Sequence, residues 1–383
     1  MYFEPNKNVM QIAVLKERKF GERRVALSPD AARTLIKKGY QIKLERGAGE
    51  GSSFLDGMYD GVGVQLVDFS EAITADLVLK VNAPSLDELM QMKDGAAYIG
   101  FLYAYTQPDL IKAINAKGIT SFAMDAVPRI SRAQSMDALS SQANLAGYKA
   151  VLLGAHHMGI IFPLLMTAAG TIKPARVLIF GAGVAGLQAI ATAKRLGAVV
   201  EVTDVRPETK EQVESLGGRF LVVEGAEGVS VEGGYAKEVS ADFLQRQKKL
   251  IEERIKEADL VITTALVIGK KAPILVTEDM VLSMKPGSVI VDMAVESGGN
   301  CALSEIDQVK QVAGVTIVGL SNLPSHLSTN ASQLYGANIA TFLQHVSTPS
   351  ELKIQLDEEI CKGSLITHQG SLIHEFTKSI LQL

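Results

Sequence analysis

The sequence predicts an α/β protein of two domains, each an open, mainly parallel sheet flanked by helices, with a cleft between them. Three observations predict it. The chain has 383 residues, enough for two domains or more. Short apolar runs alternate with helical patterns along most of its length. At 178–204 a strand, the turn Gly181-Ala182-Gly183-Val184-Ala185-Gly186, a helix and a second strand follow one another. That sequence of elements makes the domains Rossmann-like. A composition 47% hydrophobic and 21% charged supports a large buried core.

In chain order, 11–15 reads as a strand and 16–24 as a charged loop. Ser28-Pro29 supplies an N-cap followed by proline at the first helical position. A helix therefore covers 30–38 and stops at Gly39, and a strand covers 40–45. Gly47, Gly49 and Gly51 are spaced like a phosphate cradle, but no apolar strand leads into them, and they read as a turn. Strands follow at 75–81, 95–102 and 120–122, with a helix over 108–116. The segment 124–147 has few large aliphatics and many small polar residues. It begins as a loop and enters a helix near Asp137, which runs over about 138–165 into the second domain. The predicted boundaries are 1–135 plus about 330–383 for the first domain and 136–329 for the second.

In that second domain, a strand at 176–180 meets the glycine turn. A helix over 187–196 ends at Gly197, and 198–203 is a second buried strand. Gly181 allows the tight turn. Gly183, without a side chain, lets a pyrophosphate approach the backbone, and Gly186 lets the helix pack close to the sheet. The N–H groups that open the helix face an anion there. Asp204 ends the second strand, about 20 residues beyond the turn, where an acid accepts both ribose hydroxyls and repels a 2′-phosphate. Arg206 is the counter-signal, since an arginine at that place can accept the phosphate.

A helix at 207–216 and a strand at 219–223 come next. The stretch 224–240 is rich in glycine and acids without an apolar period, and reads as a long mobile loop ending in Tyr235-Ala236-Lys237-Glu238. A charged helix covers 241–257. The strand at 260–264 ends in Thr263-Thr264-Ala265, which faces the cofactor because ligands sit at the carboxyl ends of such strands. Strands at 289–292 and 316–319, a helix over 331–344 returning to the first domain, and a hairpin around Gly370 complete the chain.

Composition also excludes. A net charge of −4 gives no reason to expect nucleic acid or an anionic membrane as partner. Cys301 and Cys361 stand far apart, which fits a reducing cytoplasm. His156 and His157 are adjacent and point different ways from a helix, so no metal site is expected. The apolar region 150–172 is broken by His156, His157, Gly159 and Pro163, short of the ~20 continuous apolar residues that a membrane span needs. Residues 1–9 lack the apolar core of a signal peptide.

The run Pro128-Arg129-Ile130-Ser131-Arg132-Ala133-Gln134-Ser135-Met136-Asp137 resembles the alpha subunit of proton-translocating nicotinamide nucleotide transhydrogenase. So do 166–171, 181–198, 233–238 and 285–290. The resemblance spans nearly the whole chain and extends to alanine dehydrogenase. It implies that this chain binds NAD(H), and that hydride passes directly to NADP(+) on a partner subunit in a Si-specific, proton-translocating enzyme. It implies cofactor contacts from Gly181, Ala182, Gly183, Val184, Gly186, Asp204, Val205, Arg206, Tyr235, Thr264, Ala265, Arg129 and Asp137. Arg129, Gln134 and Asp137 would form the family's Arg-Gln-Asp loop at the nicotinamide, with Ser140 close by, and Tyr235 would sit on a closing loop. It implies a homodimer that associates with membrane-spanning and NADP(H)-binding subunits. The chain would be cytoplasmic and peripheral on the inner membrane through them, without inserting itself.

Two other readings compete: an alanine dehydrogenase-like oxidoreductase and a non-catalytic NAD-binding regulator. Amino-acid oxidation moves protons on nitrogen and oxygen and needs a general acid/base. The alanine dehydrogenase pattern uses an Arg, a Lys, a His and an Asp. Arg24 and Lys80 match the first two, while Phe101 stands at the His position and Glu296 at the Asp position. Hydride transfer between two nicotinamides needs positioning and dryness more than acid/base groups. The sequence therefore favours the transhydrogenase reading, with Arg24 and Lys80 as ion-pair partners.

Overall fold

A computed structural model describes residues 9–222, 230–232, 235–238, 241–267 and 269–381. The chain divides into two compact units. One holds the residues up to Gln142 together with the return from Ser325, and the other spans Ala143–Pro324.

The first unit is built on an eight-stranded sheet. Its strands run, in spatial order, Ser371–Leu372, Leu365–His368, Thr120–Ala123, Ala97–Gly100, Leu77–Leu79, Gln11–Val14, Gln41–Glu45 and Gln65–Val67. The last six are parallel, and Leu365–His368 pairs antiparallel to Thr120–Ala123. Two-sided burial explains the unbroken aliphatic runs. Ile12 and Val14 face one apolar cluster and Ala13 and Leu15 the other, and none of the four is exposed. Strand order reverses between Gln11–Val14 and Leu77–Leu79, so the loops after them open a crevice at the carboxyl edge of this sheet. Ser28 caps the helix Pro29–Ile36, accepting from the Ala31 N–H, as its Ser-Pro start predicts.

The second unit carries seven strands in the order Arg219–Phe220, Val199–Thr203, Arg176–Phe180, Leu260–Thr263, Val289–Asp292, Val315–Gly319 and Gln308–Val312. All pairs are parallel except the last. Val177 and Ile179 face one cluster, Leu178 and Phe180 the other. This is the doubly wound order, with its switch point beside Arg176–Phe180.

Several expectations are corrected. The helix expected over 138–165 is Ala138–His157. Beyond it, Gly159 and Pro163 interrupt the helical pattern, and Leu165–Thr167 pairs with Gly170–Ile172 as an exposed hairpin. The 219–223 strand is only Arg219–Phe220. Within 224–240, expected as a long mobile loop without strands, Ser230–Glu232 pairs antiparallel with Tyr235–Glu238. The rest of that stretch, and with it the expected mobility, lies outside the described residues. Strands Gln65–Val67 and Gln308–Val312 were not anticipated, because edge strands with polar outer positions carry no continuous apolar run.

Close backbone approach fixes where the Ala138–His157 helix lies in the second unit. A Cβ on Gly147 would stand 2.0 Å from the Ala185 carbonyl oxygen, and one on Gly154 would stand 2.5 Å from Leu260 Cδ1. Gly147→Ala should gain under 1 kcal/mol of helix propensity and lose roughly 3 kcal/mol or more to overpacking against an immovable carbonyl. Urea denaturation is expected to show a net loss of stability; an unchanged midpoint would contradict the close approach.

Candidate functional site

The strand Arg176–Phe180 runs straight into the glycine turn. Gly181 has φ +100, and a Cβ there would lie 2.4 Å from Thr264 Oγ1. A Cβ on Gly186 would lie 1.9 Å from the Gly181 carbonyl oxygen, so the helix Val184–Arg195 packs onto the turn that precedes it. Gly183 differs. Its added Cβ would meet nothing nearer than Arg206 Nη2 at 4.0 Å. Gly183 is also the N-cap, with extended backbone and no capping side chain. The first-turn N–H groups of the helix are therefore left to an outside acceptor across open space, as phosphate binding requires. The donor set fits a dinucleotide pyrophosphate.

Asp204 sits at the end of Val199–Thr203 with its carboxylate almost wholly enclosed by protein donors. Oδ2 accepts from the Ala182 N–H at 2.6 Å and from Arg206 Nη2 at 2.9 Å. Oδ1 accepts from the Arg206 N–H at 2.8 Å and from its Nε at 2.9 Å. The Ala182 bond ties the acid to the glycine turn. The Arg206 side chain donates to both carboxylate oxygens, so a ribose accepted by Asp204 would have to displace or share that fork. The two opposing signals in the sequence thus meet as one ion pair. Val205, between them, is half-buried.

Thr264 holds the neighbouring strand end to the turn, its N–H and Oγ1 both donating to the Phe180 carbonyl at 2.9 and 3.0 Å. Ala265 is fixed by a residue the sequence reading missed. Buried Asn300 accepts from the Ala265 N–H at 3.0 Å and donates to its carbonyl at 2.9 Å. Asp292, also missed, accepts from Thr263 Oγ1 and from the N–H groups of Ala294, Asn300 and Cys301, at 2.9–3.0 Å. The signal was present, since an acid ending the run Val289-Ile290-Val291 must find buried donors. Val184 is exposed at the open side of the turn. Tyr235 begins the Tyr235–Glu238 strand, and its side-chain contacts lie outside the described residues.

The other candidate residues belong to the first unit. Ser131–Met136 forms a 3-10 turn anchored by buried Ala133 and Met136. Arg129 and Gln134 are exposed. Asp137 caps the following helix, accepting from the Ser140 N–H at 2.8 Å and from Ser140 Oγ at 2.6 Å. The structure thus brings Asp137 and Ser140 together and leaves the Gln134 amide facing solvent.

At the carboxyl edge of the first sheet lies a buried ionic cluster. Arg24 donates through Nε and Nη2 to Glu22, at 2.9 and 2.7 Å, and through Nη1 to Gln142 at 2.9 Å. Lys80 donates to Glu88 at 2.7 Å, both side chains nearly out of solvent. Burial pushes the Glu22 carboxyl up, but hydrogen bonds and charge from Arg24 outweigh it and hold it at about 2. Burial likewise raises Glu88, and Lys80 more than offsets it. Burial raises Glu17 in spite of Lys80, while its carboxylate accepts from the N–H groups of Val81 and Asn82. Phe101 is buried beside this cluster, its ring 5.2 Å from that of Tyr335 and 5.8 Å from that of Tyr103. Among the described residues no three His, Cys, Asp or Glu side chains gather as a metal site, and no helix is long and apolar enough to cross a membrane.

Held near 2 instead of 4.5, Glu22 contributes on the order of 3 kcal/mol. Its native value is depressed, so that stability is fully present above its unfolded pKa and is lost as pH falls toward 2. Glu22→Gln should cost about 3 kcal/mol at pH 7, by leaving Arg24 without its charge partner. It should also flatten the fall in stability between about pH 4.5 and 2. Urea melts of both proteins across that range check this; parallel curves would refute it.

Comparison with known proteins places the chain. Residues 13–146 match the family model for the alanine dehydrogenase/PNT N-terminal domain, and residues 150–375 the one for its C-terminal domain. Over 376 residues the chain is 48% identical to the first polypeptide of the NAD(P) transhydrogenase alpha subunit of Rhodospirillum rubrum, covering 95% of this chain and 98% of that one. A transhydrogenase crystal structure from Sinorhizobium meliloti matches with a TM-score of 0.86 at 44% identity, over 95% of this chain and 100% of that one. An L-alanine dehydrogenase structure matches with a TM-score of 0.82 at 28% identity, over 97% and 99% of the two chains.

Proposed function

Because the chain belongs to the alanine dehydrogenase/PNT family, and is similar along nearly its whole length to transhydrogenase alpha subunits, we propose that it is the NAD(H)-binding subunit of a proton-translocating transhydrogenase. Hydride passes from NADH held by this chain to NADP(+) held by a partner subunit, in a Si-specific reaction coupled to proton movement across the membrane. The nicotinamide pair supplies all the redox chemistry; the chain binds, orients and excludes water.

The observation that carries this reading over amino-acid oxidation is Phe101. The family's amino-acid chemistry needs a base at that position, and here a buried ring packs between two tyrosines. Arg24 and Lys80 are engaged with internal carboxylates, as partners in buried ion pairs. Hydride transfer between two nicotinamides moves no proton at a heteroatom and leaves no task for an acid/base group there. Gly181, Gly183 and Gly186 serve the pyrophosphate, Asp204 the adenosine ribose, and Thr264 and Ala265 the cofactor-facing strand end. Arg129, Gln134, Asp137 and Ser140 serve the transfer step.

The chain works as a homodimer with membrane-spanning and NADP(H)-binding partner subunits, peripheral on the cytoplasmic face of the membrane. The Leu165–Thr167 and Gly170–Ile172 hairpin supports the dimer. It presents Leu165, Met166 and Ile172 to solvent beside Ile160, Ile161 and Leu164, an apolar surface that a second copy would cover.

Mixing the chain with NADH, an NADP analogue and a partner-subunit preparation should give hydride exchange, and its absence would remove the proposal. NADH should bind more tightly than NADPH, because Asp204 repels a 2′-phosphate; titrations returning equal dissociation constants would show that Arg206 decides the site instead. Gln134→Ala should leave NADH affinity within a few-fold and slow single-turnover transfer by on the order of 10²-fold, since small misplacements carry that penalty. A parallel loss of affinity and rate would make Gln134 a binding residue.

A further inference from the structure

Gln134 is exposed on a short 3-10 turn, a poor platform for a group whose task is alignment. Buried Ala133 and Met136 seat the turn through apolar contact, which does not fix its backbone direction, and the Asp137 carboxylate holds only the helix start behind it. The structure supplies a second anchor from a distant stretch of the chain. The helix Ser328–Val346 passes beside the turn in the same unit and sends Asn338 into it.

Asn338 is buried, and its side chain makes two bonds. Nδ2 donates to the Ser135 carbonyl at 2.8 Å, and Oδ1 accepts from Ser141 Oγ at 2.7 Å. The Ser135 carbonyl can only accept, so the orientation of the amide is fixed by its surroundings. Ser135 directly follows Gln134, and Ser141 directly follows Ser140. One side chain therefore pins both ends of the segment that holds Gln134, Asp137 and Ser140. A second, exposed tie runs from Arg132 to Glu358 at 3.3 Å, too solvated to hold the turn alone.

We infer that Asn338 is a positioning residue for hydride transfer, acting through the Ser135 carbonyl to fix the backbone that carries Gln134. This inference rests on the transhydrogenase reading and adds a residue that touches neither nucleotide. Loss of the amide frees the turn while leaving every residue of the dinucleotide site in the other unit intact. The signature is thus a rate defect without a binding defect.

The test uses the full chain with its partner-subunit preparation, comparing Asn338→Ala and Asn338→Asp with the unsubstituted protein. The aspartate keeps the acceptor for Ser141 and, when ionised, sets a charge against the Ser135 carbonyl; when protonated it regains a donor. NADH titration should return dissociation constants within about threefold for all three. Single-turnover transfer should fall on the order of 10²-fold in Asn338→Ala. In Asn338→Asp it should recover as pH is lowered through the carboxyl pKa. Hydrogen exchange of the 131–141 amides should quicken in Asn338→Ala and, at neutral pH, in Asn338→Asp. Wild-type transfer rates in Asn338→Ala would overturn the inference, and so would a loss of rate matched by a loss of NADH affinity. Absence of transfer in the unsubstituted chain would overturn the transhydrogenase reading itself, whereas unchanged exchange in Asn338→Ala would overturn only the clamp.

Discussion

No side chain fits between Gly186 and the carbonyl of Gly181, and much of the second unit follows from that contact. The helix Val184–Arg195 can start at the tip of the strand before it only because nothing separates them. The same helix is also met by Gly147, again with no room for a methyl group against the Ala185 carbonyl. Two backbones thus close on one turn, and the first-turn N–H groups take a fixed direction. Of the three glycines in the turn, Gly183 alone keeps open space in front of it. The space that a pyrophosphate would need is formed as much by where side chains are missing as by what is present.

The two units use buried charge differently. In the first, cations and carboxylates pair off inside the carboxyl edge of the sheet: Arg24 with Glu22, Lys80 with Glu88. Such pairs are expensive to break, because removing one partner strands a buried charge. Glu88 also closes the capping box of the helix Leu86–Gln91 with Ser85, which ties the ion pair to local chain direction. In the second unit buried Asp292 is held by neutral hydrogen-bond donors, and an ion pair stands beside the glycine turn. Asp204 and Arg206 neutralise one another there.

The elements legible in the sequence are those governed by local rules. Arg176–Phe180, Val289–Asp292 and Pro108–Ala116 are legible to the residue, because two-sided burial or a proline start marks each of them. The glycine turn is legible for the same reason, since each glycine answers a local steric need. Edge strands such as Gln308–Val312 are not, because half their positions face water. The helix after Asp137 reads too long: 150–172 remains apolar through the exposed hairpin, and hydrophobicity alone does not distinguish buried helix from exposed strand. Within the candidate site, Asn300 and Asn338 escape notice because the partners of their side chains lie far away in sequence. Buried polar residues are explained by what they meet, and that is a property of the fold.

The second unit is inserted into the first, and this sets an order of events during synthesis. Ala143–Pro324 is contiguous and can fold as soon as it leaves the ribosome. The first unit cannot be completed then. Its strand Thr120–Ala123 waits for Leu365–His368, and the bond between Ser121 and Thr367 spans 246 positions. At 5–20 residues per second that interval lasts on the order of tens of seconds. Through it, the nascent chain carries an unpaired strand edge and a Gln134 turn without its anchoring helix. The unit that begins to emerge first is therefore the one whose sheet is completed last.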